Sequence, residues 1–419
     1  MSNSSIGLTP FWRRVSTVMA GTIAAQLIPL ASLPILTRLL PPTTLGDYYI
    51  WLGAATIASV AASLRFDVAV FSARSIPEVA ELVMTASMAG IVVALASLGM
   101  VKTADIVLGR PLIACSSSCY LLEAAILAYV SAMLQILLSV HIYQVQFGKQ
   151  AVAKVILAVS VTITQLLAVI AGFGLGGLIY GQVLASASVL VWLFLDIERS
   201  LSRSLRHLSP RSAWRTIRNN WRFPVLAMPA DAVNSLSAQL PFFMLAGRFG
   251  PSASGYYALT NRALAAPVGL LAGSILTVFK EQASQNFRDT GNCVQVYIAT
   301  LRSLALLGLA PFAFLWLFAE PLFILVFGET WAMAGRLGEI LAPMFYLKFV
   351  ASPLSYTLFI ADRQAQDLYW QLGLLATTFA ALHLTGSVES AVTCYSLGYS
   401  LLYIVYLRMS YVAARGIPK

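Results

Sequence analysis

Long apolar runs separated by short polar segments dominate the pattern along this chain. A helix needs about 20 residues, at roughly 1.5 Å of rise each, to cross a hydrocarbon core of about 30 Å. The runs that approach this length predict helices at Val15–Leu39, Tyr48–Phe71, Ala80–Val101, Leu112–His141, Ala151–Phe173, Leu175–Leu195, Phe223–Ala246, Tyr256–Phe279, Val296–Ala319, Ile340–Ile360, Leu368–Thr385 and Ala391–Arg408. The pattern therefore predicts an all-α polytopic membrane protein with about 12 transmembrane helices.

The composition agrees with a chain that is solvated by a bilayer. Hydrophobic residues make up 59% of it, charged residues only 11%, and the mean hydropathy is +0.79. Soluble domains carry about 25% charged residues. The apolar run that follows Arg14 is too long for the core of a cleaved signal peptide, and it lacks a small-residue cleavage site. We therefore expect the first helix to be retained.

The placement of basic residues predicts the orientation of the helices. If the N-terminus is inside, 18 of the 27 Lys and Arg residues fall in inner segments, 5 fall in outer segments and 4 fall within spans. Short cytoplasmic loops are enriched in basic residues, so both termini are predicted to be cytoplasmic. This topology and contact with anionic lipid headgroups account for most of the net charge of +10. Membrane lipids, and not nucleic acid, are the expected partners of the basic segments.

A polar segment divides the chain into two halves. Residues 196–222 contain seven arginines and form the predicted basic cytoplasmic linker. Residues 1–195 before it and residues 223–419 after it each contain six of the predicted helices. The sequence therefore predicts two six-helix bundles joined by this linker.

A short internal repeat supports the division into halves. Pro42 and Gly46 follow the first predicted helix with the same spacing as Pro251 and Gly255 follow the seventh. Six is an even number, so both halves enter the membrane in the same direction, and a pseudo-two-fold axis along the membrane normal would relate them. Two such bundles around a central cavity suit transport by alternating access.

Ionisable side chains within the predicted spans are the first candidates for function, because charge is expensive at membrane depth. They are Arg65, Asp67, Glu123, Asp231, Arg262, Arg302 and Lys348. Arg65 and Arg302 could instead extend to the inner interface. Residues two apart do not share a helix face, so Arg65 and Asp67 are not predicted to form an ion pair.

These residues predict a polar interior with an excess of positive charge. Asp231 lies deepest of the acids and is predicted to pair with Arg262 or Lys348, or to take up a proton during transport. The candidate substrate-binding residues are Arg65, Arg262, Lys348, Gln26 and Asn234, and Asp231 is the candidate coupling residue. Such an interior favours an anionic substrate.

The sequence does not indicate a metal site or a nucleotide-hydrolysing site. Cys115, Cys119, Cys293 and Cys394 do not form a metal-ligand spacing with the scattered histidines. No Walker A motif occurs, so nucleotide hydrolysis is not expected. We expect no cofactor and no metal site.

Four stretches resemble Wzx-type polysaccharide flippases of the multidrug/oligosaccharidyl-lipid/polysaccharide exporter superfamily. They are Pro34–Gly46, Ser63–Asp67, Phe327–Gly335, and Leu341–Pro343 followed by Ser352–Ser355. Each is short, but their order and separation extend the resemblance over most of the chain.

The resemblance implies a carrier and not an enzyme. It implies that undecaprenyl-pyrophosphate-linked oligosaccharide moves from the cytoplasmic to the periplasmic leaflet of a bacterial inner membrane, for O-antigen, capsule or exopolysaccharide synthesis. Polymerase and chain-length regulator proteins of that pathway are candidate partners. Arginine and lysine suit the pyrophosphate group.

Two alternatives stay open. A multidrug or cation antiporter of the same superfamily would favour acids in its cavity, whereas here the first helix has none and the deep charges are mostly basic. A polysaccharide polymerase or ligase would need a large outer loop for its chemistry, whereas every predicted outer loop is short.

Overall fold

The computed structural model describes residues 8–108, 120–205, 210–361 and 363–416. Within these ranges every regular element is helical and no strand occurs. The α-helices are α1 (Leu8–Leu39), α2 (Pro42–Ser63), α3 (Phe66–Ala69), α4 (Ile76–Leu108), α5 (Leu121–Tyr143), α6 (Phe147–Ile170), α7 (Gly174–Leu205), α8 (Pro210–Asn219), α9 (Met228–Phe249), α10 (Pro251–Thr290), α11 (Val294–Phe327), α12 (Ala332–Leu354), α13 (Tyr356–Ile360), α14 (Gln364–Leu384) and α15 (Val388–Ala414). The predicted all-α fold class is confirmed.

The predicted membrane spans coincide with helices of the described residues, except for the stretch 112–119, which lies outside them. In the described ranges, nine helical segments are long and apolar enough to cross a membrane: α1, α4, α5, α6, α7, α10, α11, α12 with α13, and α15. A tenth candidate consists of α2 and the residues Phe66–Ser72, which are bent by 47° from each other. The two other predicted spans correspond to α9 and α14, which are not among these candidates.

The described chain forms two compact units. The first unit contains Met1–Leu40 and Asp47–Gln239, and the second contains Pro41–Gly46 and Leu240–Lys419. The first half of α9 thus groups with the first unit. The sequence predicted an earlier division of the chain, at the basic linker 196–222. The two-fold relation between two six-helix bundles stays a prediction.

The core of the first unit lies where α3, α4, α5 and α7 meet. Phe66, Leu82, Ile136 and Leu193 belong to this core and are each no more than 1% exposed. Because Phe66 is the first residue of α3, burial of its ring anchors the short helix that follows the bend. This anchor fixes the position of the residue before it, Arg65.

The two segments of the predicted repeat lie against each other in the second unit. A Cβ atom added to Gly46 would overlap the carbonyl oxygen of Pro251, and one added to Gly255 would overlap that of Pro42. Glycine at both positions therefore permits a backbone-to-backbone approach that a side chain would prevent. The repeat in the sequence thus corresponds to a reciprocal contact between the first turns of α2 and α10.

The core of the second unit includes a row of tyrosines along α15. Tyr395, Tyr399 and Tyr403 recur every four residues and are buried. The hydroxyl groups of Tyr399 and Thr378 lie 2.7 Å apart, which satisfies both within the core. The Trp370 ring stacks on Tyr406 with 4.0 Å between centroids and joins α14 to α15. Aromatic packing therefore joins these two helices, together with the hydrogen bonds that Trp370 donates to Leu402 O and Tyr406 donates to Asp367.

Candidate functional site

The candidate site begins at the break between α2 and α3. Leu64 and Arg65 have φ angles of 47° and 58°, in the left-handed region. Residues with a Cβ atom rarely adopt this conformation, which costs on the order of 1–3 kcal/mol each and clusters at functional sites. The Ser63 hydroxyl accepts a hydrogen bond from the Arg65 N–H at 3.2 Å. The predicted continuous helix Tyr48–Phe71 is therefore broken in two.

The break places the Arg65 guanidinium between two carboxylates. Its Nη1 atom lies 2.9 Å from Asp231 Oδ2 and 3.6 Å from Asp67 Oδ2. The prediction that Arg65 and Asp67 do not pair was wrong, because it assumed one regular helix. Arg65 instead precedes α3 in the left-handed conformation, which turns its side chain towards Asp67. We call Arg65, Asp67 and Asp231 the Arg65 cluster.

Asp231 approaches Arg65 from the first turn of α9. A π-helical segment, Phe223–Ala227, precedes α9, and such wide turns are frequent at functional sites. The sequence predicted Arg262 or Lys348 as the partner of Asp231. The observed partner is Arg65, which is 166 residues away in the sequence.

The Arg65 cluster is incompletely satisfied and partly accessible. Arg65 Nε and Asp67 Oδ1 are buried and have no hydrogen-bond partner among the described residues. The side chains are 26% exposed for Arg65, 14% for Asp67 and 33% for Asp231. A buried donor without an acceptor costs about 1–3 kcal/mol, so a ligand with several acceptor oxygens would be stabilised here.

The neutral polar candidates lie in the same unit. Gln26 is on α1 and Asn234 is on α9, and both side chains are exposed. Asn234 follows Asp231 by three residues, so the two residues share a face of α9. In the part of the chain that the structure describes, Gln26 forms no hydrogen bond to the Arg65 cluster.

The two other predicted cations belong to the second unit. Arg262 is half-buried on α10, and Lys348 is half-buried on α12. The Lys348 Nζ atom lies 5.4 Å from the centre of the Phe345 ring, within the range of a cation–π interaction. Among the described residues no carboxylate forms an ion pair with Lys348. Its ammonium group is thus stabilised by an aromatic ring.

The cysteines do not form a centre in the described ranges. Cys115 and Cys119 lie outside these ranges, and Cys293 and Cys394 are free thiols. Burial raises the pKa of the Cys293 thiol, between α10 and α11, to about 11. No group of three or more His, Cys, Asp or Glu residues that could hold a metal ion occurs among the described residues.

Sequence comparison places the chain among proteins of polysaccharide synthesis. A family described as polysaccharide biosynthesis protein matches residues 35–335, which include the whole Arg65 cluster. The succinoglycan biosynthesis transport protein ExoT of Rhizobium meliloti (strain 1021) is 26% identical over 205 residues. The match covers 49% of this chain and 40% of that protein, so it spans less than half the length of the relative.

Solved structures resemble the fold over nearly its full length. The lipid II flippase MurJ, in an inward closed conformation, has a TM-score of 0.67 and 12% identity over 94% of this chain and 87% of that chain. An inward-facing multidrug resistance MATE family transporter of the MOP superfamily has a TM-score of 0.61 and 15% identity over 95% and 94% of the two chains. These likenesses concern the fold alone.

The family match covers most of the chain and contains three of the sequence features used above. These are the Ser63–Asp67 stretch, the Phe327–Gly335 stretch and the repeat that begins at Pro42 and Pro251. The fold agrees with the superfamily expected from the sequence. This chain therefore belongs to the polysaccharide biosynthesis protein family, and it has the fold of the multidrug/oligosaccharidyl-lipid/polysaccharide exporter superfamily.

Proposed function

We propose that this protein is a flippase for an undecaprenyl-pyrophosphate-linked oligosaccharide. It moves this lipid from the cytoplasmic to the periplasmic leaflet of a bacterial inner membrane, where the glycan enters O-antigen, capsule or exopolysaccharide synthesis. The family match and the succinoglycan transport relative support the pathway. The fold shared with a lipid II flippase supports a carrier mechanism.

The observation that carries this proposal is a partly exposed carboxylate on a partly unsatisfied arginine. Asp231 holds Arg65 Nη1 at 2.9 Å, while Arg65 Nε lacks an acceptor. A pyrophosphate has several acceptor oxygens, and a guanidinium binds phosphate through parallel N–H donors. The pyrophosphate can therefore replace Asp231 at Nη1 and also accept from Nε. In this mechanism Arg65 binds the substrate, and Asp231 occupies its place when the substrate is absent.

Displacement of Asp231 provides a route to energy coupling. The freed carboxylate would stand without its cation at membrane depth, where an unpaired charge is costly. Protonation of Asp231 from the solvent removes that charge, so binding of pyrophosphate and uptake of one proton are linked. Return of Asp231 to Arg65 requires release of the proton and of the substrate. Asp231 is thus the coupling residue of the proposed cycle.

The other candidate residues act as secondary contacts of the substrate. Gln26 and Asn234 offer exposed neutral donors in the first unit, and Arg262 and Lys348 offer cations in the second. Alternating access presents these groups to one leaflet and then to the other. The proposal includes cytoplasmic termini, as the positive-inside rule favours. It also includes membrane lipids, and polymerase and chain-length regulator proteins, as partners.

One observation favours the second candidate, a multidrug or cation antiporter. The Arg65 cluster contains two carboxylates and one guanidinium, and its formal charge is −1 when all three groups are ionised. A cationic drug could pair with the carboxylates. In that case loss of either acid would abolish transport, and loss of Arg65 would strengthen cation binding.

A complementation experiment tests the proposed function. Labelled lipid-linked oligosaccharide is followed in cells that lack the protein and in cells that express the wild type, Arg65→Ala or Arg74→Ala. Arg74 is exposed on the same segment and serves as the matched control. We expect periplasmic label with the wild type and Arg74→Ala, and cytoplasmic label without the protein or with Arg65→Ala. Periplasmic but unpolymerised label in the deletion strain would instead identify a polymerase or ligase.

A further inference from the structure

An apolar groove lies on the first unit, between α4, α5 and α7. Its cavity volume is about 360 Å³, and its lining includes Met84, Ser87, Tyr129, Met133 and Val191. Ligand cavities in proteins typically measure about 300–1,000 Å³, so the groove has room for a segment of one hydrocarbon chain. It is separate from the Arg65 cluster, whose residues do not line it.

The lining suits a flexible hydrocarbon chain. Its polar side chains satisfy each other, since the Ser87 and Tyr129 hydroxyl oxygens lie 2.8 Å apart. Met84 and Met133 are unbranched thioethers that adapt to an irregular shape, as the methyl branches of an isoprenoid require. Val191 and Phe194 are 58% and 43% exposed, so the groove is open along α7.

One end of the groove adjoins a cluster of charged residues. Leu137 lines the groove, and its carbonyl oxygen lies 2.9 Å from Nδ1 of the buried His141. His141 Nε2 lies 3.2 Å from Asp196 Oδ2, and the same carboxylate is held at 2.8 Å by Lys149 Nζ. Asp196 directly follows Leu195, another lining residue. The charged cluster therefore adjoins residues of α5 and α7 that line the groove.

The cluster presents an accessible ammonium group beside the groove. The ring nitrogens of His141 lie 2.9 Å from Leu137 O and 3.2 Å from Asp196 Oδ2. The Lys149 side chain is 48% exposed and has three donors, of which Asp196 cannot use all. An apolar groove that ends at an accessible ammonium group matches a lipid with one chain and a phosphate.

We propose that this groove binds the polyprenyl chain of the lipid-linked substrate, with the phosphate of that lipid beside Lys149. The inference rests on the proposed function and names the place where the substrate docks before it reaches Arg65. Glycerophospholipids carry two acyl chains, whereas the groove holds a segment of one. The single-chain polyprenyl lipid is therefore the occupant.

Binding of undecaprenyl phosphate to the purified protein tests the groove. Native mass spectrometry measures retention of undecaprenyl phosphate, undecaprenol and phosphatidylglycerol by the wild type, Val191→Trp and Leu184→Trp. Leu184 is also exposed on α7 but lies outside the groove, so it is the matched control. We expect Val191→Trp to retain undecaprenyl phosphate about tenfold less than the wild type, because the indole fills the groove. Leu184→Trp should retain it normally.

A second pair of variants tests the charged end. Lys149→Gln should weaken retention of undecaprenyl phosphate but not of undecaprenol, which lacks the phosphate. Lys102→Gln, at an exposed position on α4, should change neither. Equal loss of both lipids in Lys149→Gln would overturn the role of Lys149.

Photo-crosslinking of the wild type tests lipid binding in the groove without a substitution, in case Val191→Trp folds poorly. A diazirine on the chain of undecaprenyl phosphate should label peptides of α4, α5 and α7. Labelling elsewhere, or equal displacement by phosphatidylglycerol, would show that ordinary lipid fills the groove.

If the lipid labels the groove but the wild type fails to move oligosaccharide in cells, the proposed function is wrong and the groove stands. If oligosaccharide moves normally and the groove is not labelled, only the groove is wrong.

Discussion

Arg65 in the first unit and Lys348 in the second are both cations within predicted spans, but their surroundings differ. Arg65 stands at a helix break between two carboxylates, at 2.9 and 3.6 Å. Lys348 stands on the unbroken helix α12, 5.4 Å from the centre of an aromatic ring. The charge of Arg65 is neutralised by ion pairs, whereas the ammonium group of Lys348 is stabilised by a cation–π interaction.

These surroundings decide what each cation can do when an anionic substrate binds. An arginine that already holds a carboxylate can exchange it for a substrate phosphate, and the exchange releases a group that can carry a proton. A lysine without a carboxylate can attract an anion but releases nothing. We therefore propose that the Arg65 cluster couples transport to proton movement and that Lys348 only attracts the anionic substrate.

Removal of the Arg65 guanidinium is expected to have the largest effect. Arg65→Ala leaves Asp67 and Asp231 without a cation, and transport should fall about 100-fold, the scale of a lost charge-assisted contact of 2–3 kcal/mol. Transport of labelled oligosaccharide per molecule of inserted protein is the measurement. Arg65→Lys should recover part of the activity. Wild-type transport by Arg65→Ala would remove this residue from the mechanism.

Neutralisation of Asp231 should separate substrate binding from proton coupling. Asp231→Asn keeps the shape of the side chain but cannot bind and release a proton, so transport should fall about tenfold and lose its dependence on a proton gradient. Transport is measured with and without an uncoupler. If the variant transports normally under both conditions, Asp231 has no coupling role.

Replacement of Lys348 should weaken transport without harm to folding. Lys348→Met keeps the length of the side chain, and Lys348 has no carboxylate partner among the described residues that the change would leave unpaired. Abundance should therefore stay normal while transport falls several-fold, by about 1 kcal/mol. Quantitative blotting of membranes and the transport assay give the two readouts. A large loss of abundance would mark Lys348 as a structural residue.

A smaller effect is expected at the close contact of the second unit. Gly255→Ala forces apart the first turns of α2 and α10, and should lower stability by about 1–3 kcal/mol, as overpacking does. The midpoint of thermal unfolding measures this loss. Gly247→Ala is the matched control, because a Cβ atom there meets no atom within 4 Å. Equal unfolding midpoints for the two variants would argue against the contact.

The helices were predictable from the sequence because a run of apolar residues is a local signal. The predicted spans coincide with helices of the described residues, apart from the stretch 112–119, which lies outside them, and the break after Ser63. The pairing of Gly46 with Gly255 had a visible signal in the equal spacing from Pro42 and Pro251. Arg262, Arg302 and Lys348 lie on helices that are long and apolar enough to cross a membrane, whereas Arg65 lies at the break between α2 and α3.

The arrangement of the site was less predictable, because it depends on packing between distant segments. No glycine or proline marks the break at Leu64 and Arg65. The ring of the next residue, Phe66, is buried in the core. The rejection of an Arg65–Asp67 pair followed from the assumption of an unbroken helix. The contact with Asp231 joins residues 166 apart in the sequence, and no local pattern reveals it.

The affinity of the purified protein for undecaprenyl pyrophosphate tests most directly whether the substrate and Asp231 compete for Arg65. The wild type and Asp231→Asn are compared by titration in nanodiscs. If the carboxylate competes with the pyrophosphate, Asp231→Asn should bind the lipid about tenfold more tightly, since the internal competitor has lost its charge. Affinity that is unchanged or weaker in Asp231→Asn would contradict the account.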